Sequence, residues 1–544
     1  MLAVLAALVA VPLYYRDVVY RVDEEIRGRV EAKIAERFPH LEVRVRSAQL
    51  VADGIEARGV SILEPGAAGP QAELALFDEV FLACATSLQE LISGDPQITS
   101  VKIGRPIVRA TRRPDGSYSL GKLLPPKPCK PLAATLTVEN GTLQIFDPLK
   151  NPSTSYTLRD IDLEFKRSPT TPDEHVAFEF EGSLAADQIQ RVELVGSLDA
   201  TSRQWTLHGT VDGCDVSPEI RNSLPDQISG PLELLSSVKA RADFSFRAAS
   251  ENAGQPPKFE INGSLRGGRI EDPLLPWRLT DLKANFHCDN AGLKLSELSA
   301  RDGPMTWEVS ELTLAGFTRT SPLFVHVIGK QVRLDRKLGD ALPNPLWRID
   351  WHNYSPEGEV DLECTLRFDG RQWTPKLDVR LLNNVSFSCH KFPYRLEGGR
   401  GKLTLRGNVL DVDMVAFSGS QPVTLQGRFL DPGPRYTGRI EIRGQQIQFD
   451  EKLFRALKPK AQEAVRSLNP RETFDIHAVA WRDKDDPLPR PEMHQWAEIK
   501  LNRCSMKYLK FPYPLHNVQG TVYVQDGQWT FDNVEASCDT GVVT

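Results

Sequence analysis

Most of this chain alternates apolar and polar positions. Val360, Leu362, Cys364, Leu366 and Phe368 are separated by Asp361, Glu363, Thr365 and Arg367. The pattern occurs earlier at Val238, Ala240, Ala242, Phe244 and Phe246, and later at Phe474, Ile476, Ala478 and Ala480. A period of two sends successive side chains to opposite faces of a strand, so each run predicts a half-buried strand. Alternation starts at Val43 and Val45 against Arg44 and Arg46, and returns at Ile55, Ala57 and Val60 and at Ile98, Val101 and Ile103. Leu136, Val138, Leu143 and Ile145 flank Asn140-Gly141, a dipeptide that predicts a hairpin between two such runs.

Helical spacing is rarer. Val22, Ile26, Val30, Ile34 and Phe38 recur every fourth residue among charged neighbours up to Pro39, which predicts an amphipathic helix with one buried stripe. Leu82–Ile92 has room for a second, short helix. Met1–Tyr15 carries no charge before Arg16. That run is shorter than the roughly 20 apolar residues a span needs, and it lacks the basic start and small-residue cleavage site of a removable signal peptide. We read it as the last part of a membrane helix whose start lies upstream, with Leu2, Val4, Leu5, Leu8, Val9, Val11 and Leu13 as anchor residues; a buried core helix is the alternative. Arg16, Arg21 and Arg27 follow it, and taken literally that bias puts the bulk in the cytoplasm. A basic stretch upstream would reverse the orientation.

The alternation is organised by an internal repeat. Lys391-Phe392-Pro393-Tyr394-Arg395-Leu396 and Gly401-Lys402-Leu403-Thr404-Leu405 are matched, 119 residues later, by Lys510-Phe511-Pro512-Tyr513-Pro514-Leu515 and Gly520-Thr521-Val522-Tyr523-Val524. A fainter copy, with Leu265, Ile270, Pro276, Trp277 and Leu279, lies 117 residues before the first. Proline followed by an aromatic and a leucine reads as punctuation: proline interrupts a ladder at an edge or bulge, and the aromatics pack against the neighbouring copy. Each copy also contains a helical insert opened by a capping residue, Ser217, Asp335 or Asp450, and closed at Leu224-Pro225, Leu342-Pro343 or Leu457-Lys458-Pro459. The third insert, continuing from Ala461 to Leu468, reads as the longest. Roughly five strands per unit of about 117 residues are expected, in a repeat array.

The expected fold class is therefore mainly β: an elongated antiparallel array curled into a groove, with short helical inserts and an N-terminal membrane helix. The expected segments are an anchor at 1–21, a helix-plus-strands region at 22–130 that ends in the proline-rich stretch Pro125–Pro131, units at 131–260, 261–380 and 381–500, and the start of a truncated unit at 501–544.

Composition narrows the chemistry. With 66 basic and 72 acidic residues the net charge is −6, which leaves no electrostatic footprint for nucleic acid. The eight cysteines are scattered without Cys-x-x-Cys or histidine at metal spacing, and read as small buried hydrophobes. No nucleophile elbow, P-loop or zinc-protease motif occurs, so the chain reads as a non-enzyme without catalytic residues, metal ligands or cofactor. Cys389 and His390 are adjacent and would point to opposite faces of a strand. Asp411 and Asp413 alternate with Leu410, Val412 and Met414, which places them on a solvated outer face.

A hydrophobic start, a helix, the Val43–Val60 strand pair, the Pro106–Leu120 stretch with Asp115-Gly116-Ser117, and Val138–Asp147 (VENGTLQIFD) follow one another in an order that resembles the AsmA family of bacterial envelope proteins, related to TamB. The resemblance covers roughly residues 1–165. It implies a protein anchored in the bacterial inner membrane by one N-terminal span, with its bulk in the periplasm and a repeating β-groove that carries lipid. Strands with one apolar face need that face covered. A continuous apolar groove suits the acyl chains of phospholipid, because each buried methylene is worth ~0.8 kcal/mol. Expected lining residues are Val360, Leu362, Leu366, Phe368, Leu403, Leu405, Leu410, Val412, Val522 and Val524. Expected partners are lipid, the anchoring membrane, and an outer-membrane partner at a C-terminal end beyond Thr544. The competing readings are a TamB-like factor that assists outer-membrane protein assembly and a structural β-rich envelope scaffold.

Overall fold

The computed structural model of this chain describes residues 21–66, 72–84, 98–115, 117–123, 135–149, 153–167, 177–199, 202, 204–217, 237–251, 257–271, 275–318, 320–342, 345–432, 436–487, 492–510, 513–539 and 541–544. The protein is mainly β, with twenty-six strands among these residues. It divides into two compact units, residues 1–268 with 285–291 and residues 269–284 with 292–544.

The first unit begins with helix α1 (residues 21–37). Its stripe of Ile26, Val30 and Ile34 packs on Val45, Ala48, Ala57, Val60 and Val80, while Val22 stays exposed. The Glu31 carboxylate accepts the Val45 N–H at 3.1 Å, which pins the helix to the first strand. Strands β1 (Glu42–Val51), β2 (Gly54–Leu63), β3 (Glu73–Cys84) and β4 (Ile98–Thr111) form an antiparallel run. Leu82–Cys84 thus belongs to a strand, not to the expected short helix, because Leu82 is paired with Ile55 on β2 and Val101 on β4. Strand β5 (Thr135–Asp147) lies parallel to β4. Strands β6 (Thr154–Arg167), β7 (Ala177–Ala186), β8 (Ile189–Asp199), β9 (Trp205–Val216) and β10 (Val238–Ser250) continue antiparallel.

The hairpin expected at Asn140-Gly141 is absent. Strand β5 runs through it, and Asn140 takes a left-handed φ of 52° as a bulge, with its N–H donated to Asp162 on β6 at 2.9 Å. Both halves of β5 pair the same two neighbours, so the dipeptide bends one strand instead of joining two.

Strands β11 (Lys258–Ile270) and β12 (Leu279–Asp289) contain the residues at which the units divide. The second unit then runs antiparallel through β13 (Gly292–Asp302), β14 (Met305–Ala315), β15 (Leu323–Leu334), β16 (Gly358–Phe368), β17 (Trp373–Cys389), β18 (Phe392–Arg406) and β19 (Val409–Ser418). It continues through β20 (Gln421–Leu430), β21 (Thr437–Gln448), β22 (Arg471–Arg482), β23 (His494–Lys507), β24 (Pro514–Gln525), β25 (Gln528–Cys538) and β26 (Gly541–Val543).

The Phe-Pro-Tyr stretch opens β18, and Pro514, the match of Arg395 in the next copy, opens β24, so one repeat holds six strands, one more than alternation alone predicts. Two helices stand between β15 and β16, α2 (Arg336–Ala341) and α3 (Pro345–Tyr354), and two between β21 and β22, α4 (Glu451–Ala456) and α5 (Pro459–Leu468). Asp335 and Asp450 cap α2 and α4 as expected, each accepting a backbone N–H, from Leu338 at 2.9 Å and Leu453 at 2.7 Å. Both inserts continue into a ten-residue helix, so the third is not the longest. The insert expected after Ser217 and the proline-rich stretch lie outside the described residues.

Candidate functional site

The second unit presents an apolar face whose rows run across the strands in register. Val332, Val360, Leu381, Gly401 and Met414 pair one to the next from β15 to β19. The same row proceeds through Leu425, Ile442, Ala478 and Ala497 to Val524 on β24. Ten strands at ~4.8 Å spacing make a row on the order of 40 Å long. A second row, parallel to it, runs through Leu362, Val379, Leu403, Val412, Gly427 and Ile440. Cys364, Leu377, Leu405, Leu410 and Phe429 make a third.

Burial falls from one row to the next. Val332, Val360, Leu381, Met414 and Leu425 form the core of the unit, and Leu362, Leu403 and Val412 pack against it half-buried. Leu366, Phe368, Leu405 and Leu410 lie beyond that cluster and are half-buried, and Trp373, stacked on Phe368 at 4.9 Å between ring centroids, is 55% exposed. Val522 belongs to a neighbouring cluster with Leu501, Cys504 and Val518, and Val524 is half-buried. All ten expected lining residues thus share this face, and they divide into a packed end and an open end.

Bulges and helices gather at the packed end of the second unit. There Gln331 and Gln446 adopt left-handed φ values of 54° and 53°; within the first unit Gly213, at 63°, and Asn140 do the same. In each case the bulged N–H is donated to an aspartate on the next strand: Gly213 to Asp243 at 2.8 Å, Gln331 to Asp361 at 3.0 Å and Gln446 to Asp475 at 2.8 Å. A bulge bends its strand and increases the local twist. Leu453 of α4 then packs on the core cluster. Each second helix is fastened to a strand turn of its own repeat, with His390 N–H donated to Asn353 O at 2.7 Å and Leu509 N–H to Ser467 O at 2.9 Å.

The Phe-Pro-Tyr stretch sits at this end. Tyr394 is 8% exposed and its hydroxyl hydrogen-bonds Ser418, with Lys452 of α4 over its ring, whereas Phe392 is exposed. The motif is therefore a buried anchor beneath a helix, and Phe511-Pro512 of its copy lies outside the described residues. Cys389 and His390 flank the same turn, with the His390 N–H used for the fastening just described.

The opposite face carries interlocking charges. Asp361 pairs with Arg380, Asp378 with Lys402 at 2.9 Å, Asp411 with Arg428 at 2.6 Å, and Glu441 with Arg443 at 2.6 Å. The hydrogen bond from Lys402 leads in holding Asp378 below the usual carboxylate range, and that from Arg428 does the same for Asp411. Burial acts to raise Asp361, but the hydrogen bonds from Arg380 and the Gln331 N–H and the Arg380 charge outweigh it and leave it lowered. Asp413 accepts from Gln426 at 3.1 Å, so the Asp411–Asp413 pair is an outer-face contact, as expected.

Among the described residues no group of histidine, cysteine and carboxylate side chains is placed to hold a metal, and Cys214, Cys288, Cys364, Cys389 and Cys504 are free thiols. Among them too, no helix is long and apolar enough to cross a membrane, and the anchor residues Leu2 to Leu13 lie outside the described part. Lining residues that the alternation did not single out, such as Val379, Leu377, Ile440 and Ile442, were legible only through register: they fall on the face because they pair with residues already on it. The sequence matches no protein-family model and no curated protein.

Proposed function

We propose that this chain is an AsmA-like envelope protein, anchored in the bacterial inner membrane with its bulk in the periplasm, that carries phospholipid acyl chains along the apolar face of its sheet. The observation that carries this reading is the row of Leu377, Leu405 and Leu410 with Leu366 beside it: apolar side chains in strand register, continuous with a packed core and themselves only half-buried. Exposed apolar surface of this kind marks binding. Acyl chains fit it because each methylene transferred from water gains ~0.8 kcal/mol without needing a fixed polar partner. The order of motifs over residues 1–165 supports the family, and the paired charges on the other face support a solvated exterior.

The test is mass spectrometry of lipid that co-purifies with the folded protein. Phospholipid is expected with the wild type, lost on Leu366→Asp plus Leu405→Asp, and kept on the outer-face control Asp413→Asn. Absence of lipid from the wild type, or equal lipid in the double variant with its sheet signal intact, would favour a scaffold with a self-filled interior.

A further inference from the structure

The charges on the polar face of the second unit change character at the open end of the apolar rows. In the inner rows carboxylates and cations interlock, as in Asp361 with Arg380, Asp378 with Lys402 and Asp411 with Arg428, while Glu363, opposite Asp378, has His326 at 3.1 Å. In the outermost row Lys376 and Arg406 stand directly opposite each other in the β17–β18 register. Among the described residues Arg406 makes one ion pair, with Asp378 at 3.9 Å, and that carboxylate already holds Lys402 at 2.9 Å. Arg367, the penultimate residue of β16, and Arg371, in the turn to β17, add two more exposed cations at the same end. The one carboxylate of that turn, Asp369, is taken up by the N–H groups of Arg371 and Gln372, both at 2.8 Å. Like charges directly opposite on neighbouring strands destabilise a sheet. A one-signed row bordering interlocked rows is thus what an external anion would relieve.

The neighbours of these cations settle what kind of anion fits. Arg367 lies between Leu366 and Phe368, Lys376 between Pro375 and Leu377, and Arg406 follows Leu405. Every one of those neighbours projects to the open apolar face. Long basic side chains at strand ends can carry their charge past the edge while their stems stay on the sheet. A molecule lying across this end would meet apolar rows on one side of the strand tips and cations on the other.

We propose that this end of the second unit selects phospholipids with a net negative headgroup: Arg367, Arg371, Lys376 and Arg406 hold the headgroup, and the acyl chains lie along the Leu366, Leu377 and Leu405 side. The assignment rests on the lipid-carrying reading above and adds a substrate class to it.

The test uses the full chain and donor vesicles of phosphatidylcholine that contain a trace of acyl-labelled phosphatidylglycerol or of phosphatidylcholine with identical chains. Label captured by the protein is counted after the vesicles are removed. Because each cation near an anionic lipid favours it, the wild type should capture phosphatidylglycerol at least about tenfold over phosphatidylcholine. Replacing all four cations by glutamine should abolish that preference, bringing phosphatidylglycerol capture down to the level of phosphatidylcholine capture; K376Q with R406Q should reduce it in part. All four side chains are exposed, so a retained sheet signal certifies the fold. Equal capture of both lipids by the wild type would overturn the headgroup assignment alone, as would a preference that survives the four substitutions. Binding to anionic vesicles without removal of label would overturn it in favour of a membrane-docking surface. Capture of neither lipid would overturn the lipid-carrying reading as well.

Discussion

Replacing Asp361 by alanine tests whether the aspartate holds the bulge that bends β15. The Gln331 N–H donates to Asp361 Oδ1 at 3.0 Å while Gln331 sits at φ 54°. A left-handed conformation costs a residue with a side chain about 1–2 kcal/mol, so the bulge needs a compensating contact. A hydrogen bond to a charged acceptor contributes roughly 1.5–3 kcal/mol. The Asp361 side chain is 23% exposed, which places it near the lower end. Its pair with Arg380 adds little, because Arg380 is mostly exposed and such surface pairs are worth about 0.2–1 kcal/mol. Asp361→Ala should therefore destabilise the bulge locally by about 2 kcal/mol, or roughly thirtyfold faster exchange of the Gln331 amide. Asp361→Asn keeps an acceptor oxygen without the charge, so it should lose about half of that energy and exchange about fivefold faster. Amide hydrogen exchange resolves the two, since it reads local opening in a chain whose global unfolding need not be two-state. Asparagine and alanine behaving alike, or Gln331 exchanging at the wild-type rate in Asp361→Ala, would refute the reasoning.

Two further outcomes follow from the same geometry. Gln446 is exposed at φ 53° with its backbone N–H on Asp475, so Gln446→Gly removes the strain and keeps the bond; it should stabilise by up to about 1 kcal/mol, read as slower exchange across β21 and β22. The depressed carboxylates Asp378, Asp411 and Glu441 contribute stability that is present above their unfolded values near 4 and is lost as pH falls through their lower folded values. Circular dichroism followed from pH 7 to pH 2 should therefore show the sheet weakening only below about pH 4, with a smaller effect in high salt; a transition centred near neutral pH would count against these pairs as its source.

Alternation made the strands legible because a half-buried strand must repeat every two residues, and the insert caps at Asp335 and Asp450 were legible because a helix start needs an acceptor. The groove face was legible as a set of residues but not as two ends. Leu362 and Leu366 are alike in sequence, and only the bulges and helices at one end of the strands make the first packed and the second open. Asn140-Gly141 misled for a related reason. The left-handed residue that turns a hairpin also makes a bulge, and the choice lies with Asp162, 22 residues further on in the next strand, whose carboxylate takes the freed N–H. A signature for that choice stood unread: Asp162, Asp243, Asp361 and Asp475 each sit between two apolar residues of an alternating strand, in Ile161-Asp162-Leu163, Ala242-Asp243-Phe244, Val360-Asp361-Leu362 and Phe474-Asp475-Ile476.

That signature also bears on how the second unit gets a polarity across its strands. A sheet with one apolar face has no intrinsic reason to be packed at one end and open at the other, since its rows repeat along every strand. The aspartates break the symmetry by holding a bulge near the C-terminal end of β15 and of β21, the end from which each helix pair follows. Their anchorage is redundant: an aspartate cap at the first helix of each pair, and a backbone bond from a strand turn to the C-terminal end of the second. Backbone bonds place few demands on sequence, which is why His390 and Leu509 can occupy the same position in successive copies while the fastening persists. The cations at Lys376 and Arg406 stand at the opposite end from every one of these devices. A lipid held as proposed would therefore have a single orientation at this end, its headgroup at Arg367, Arg371, Lys376 and Arg406 and its acyl chains on the Leu366, Leu377 and Leu405 side.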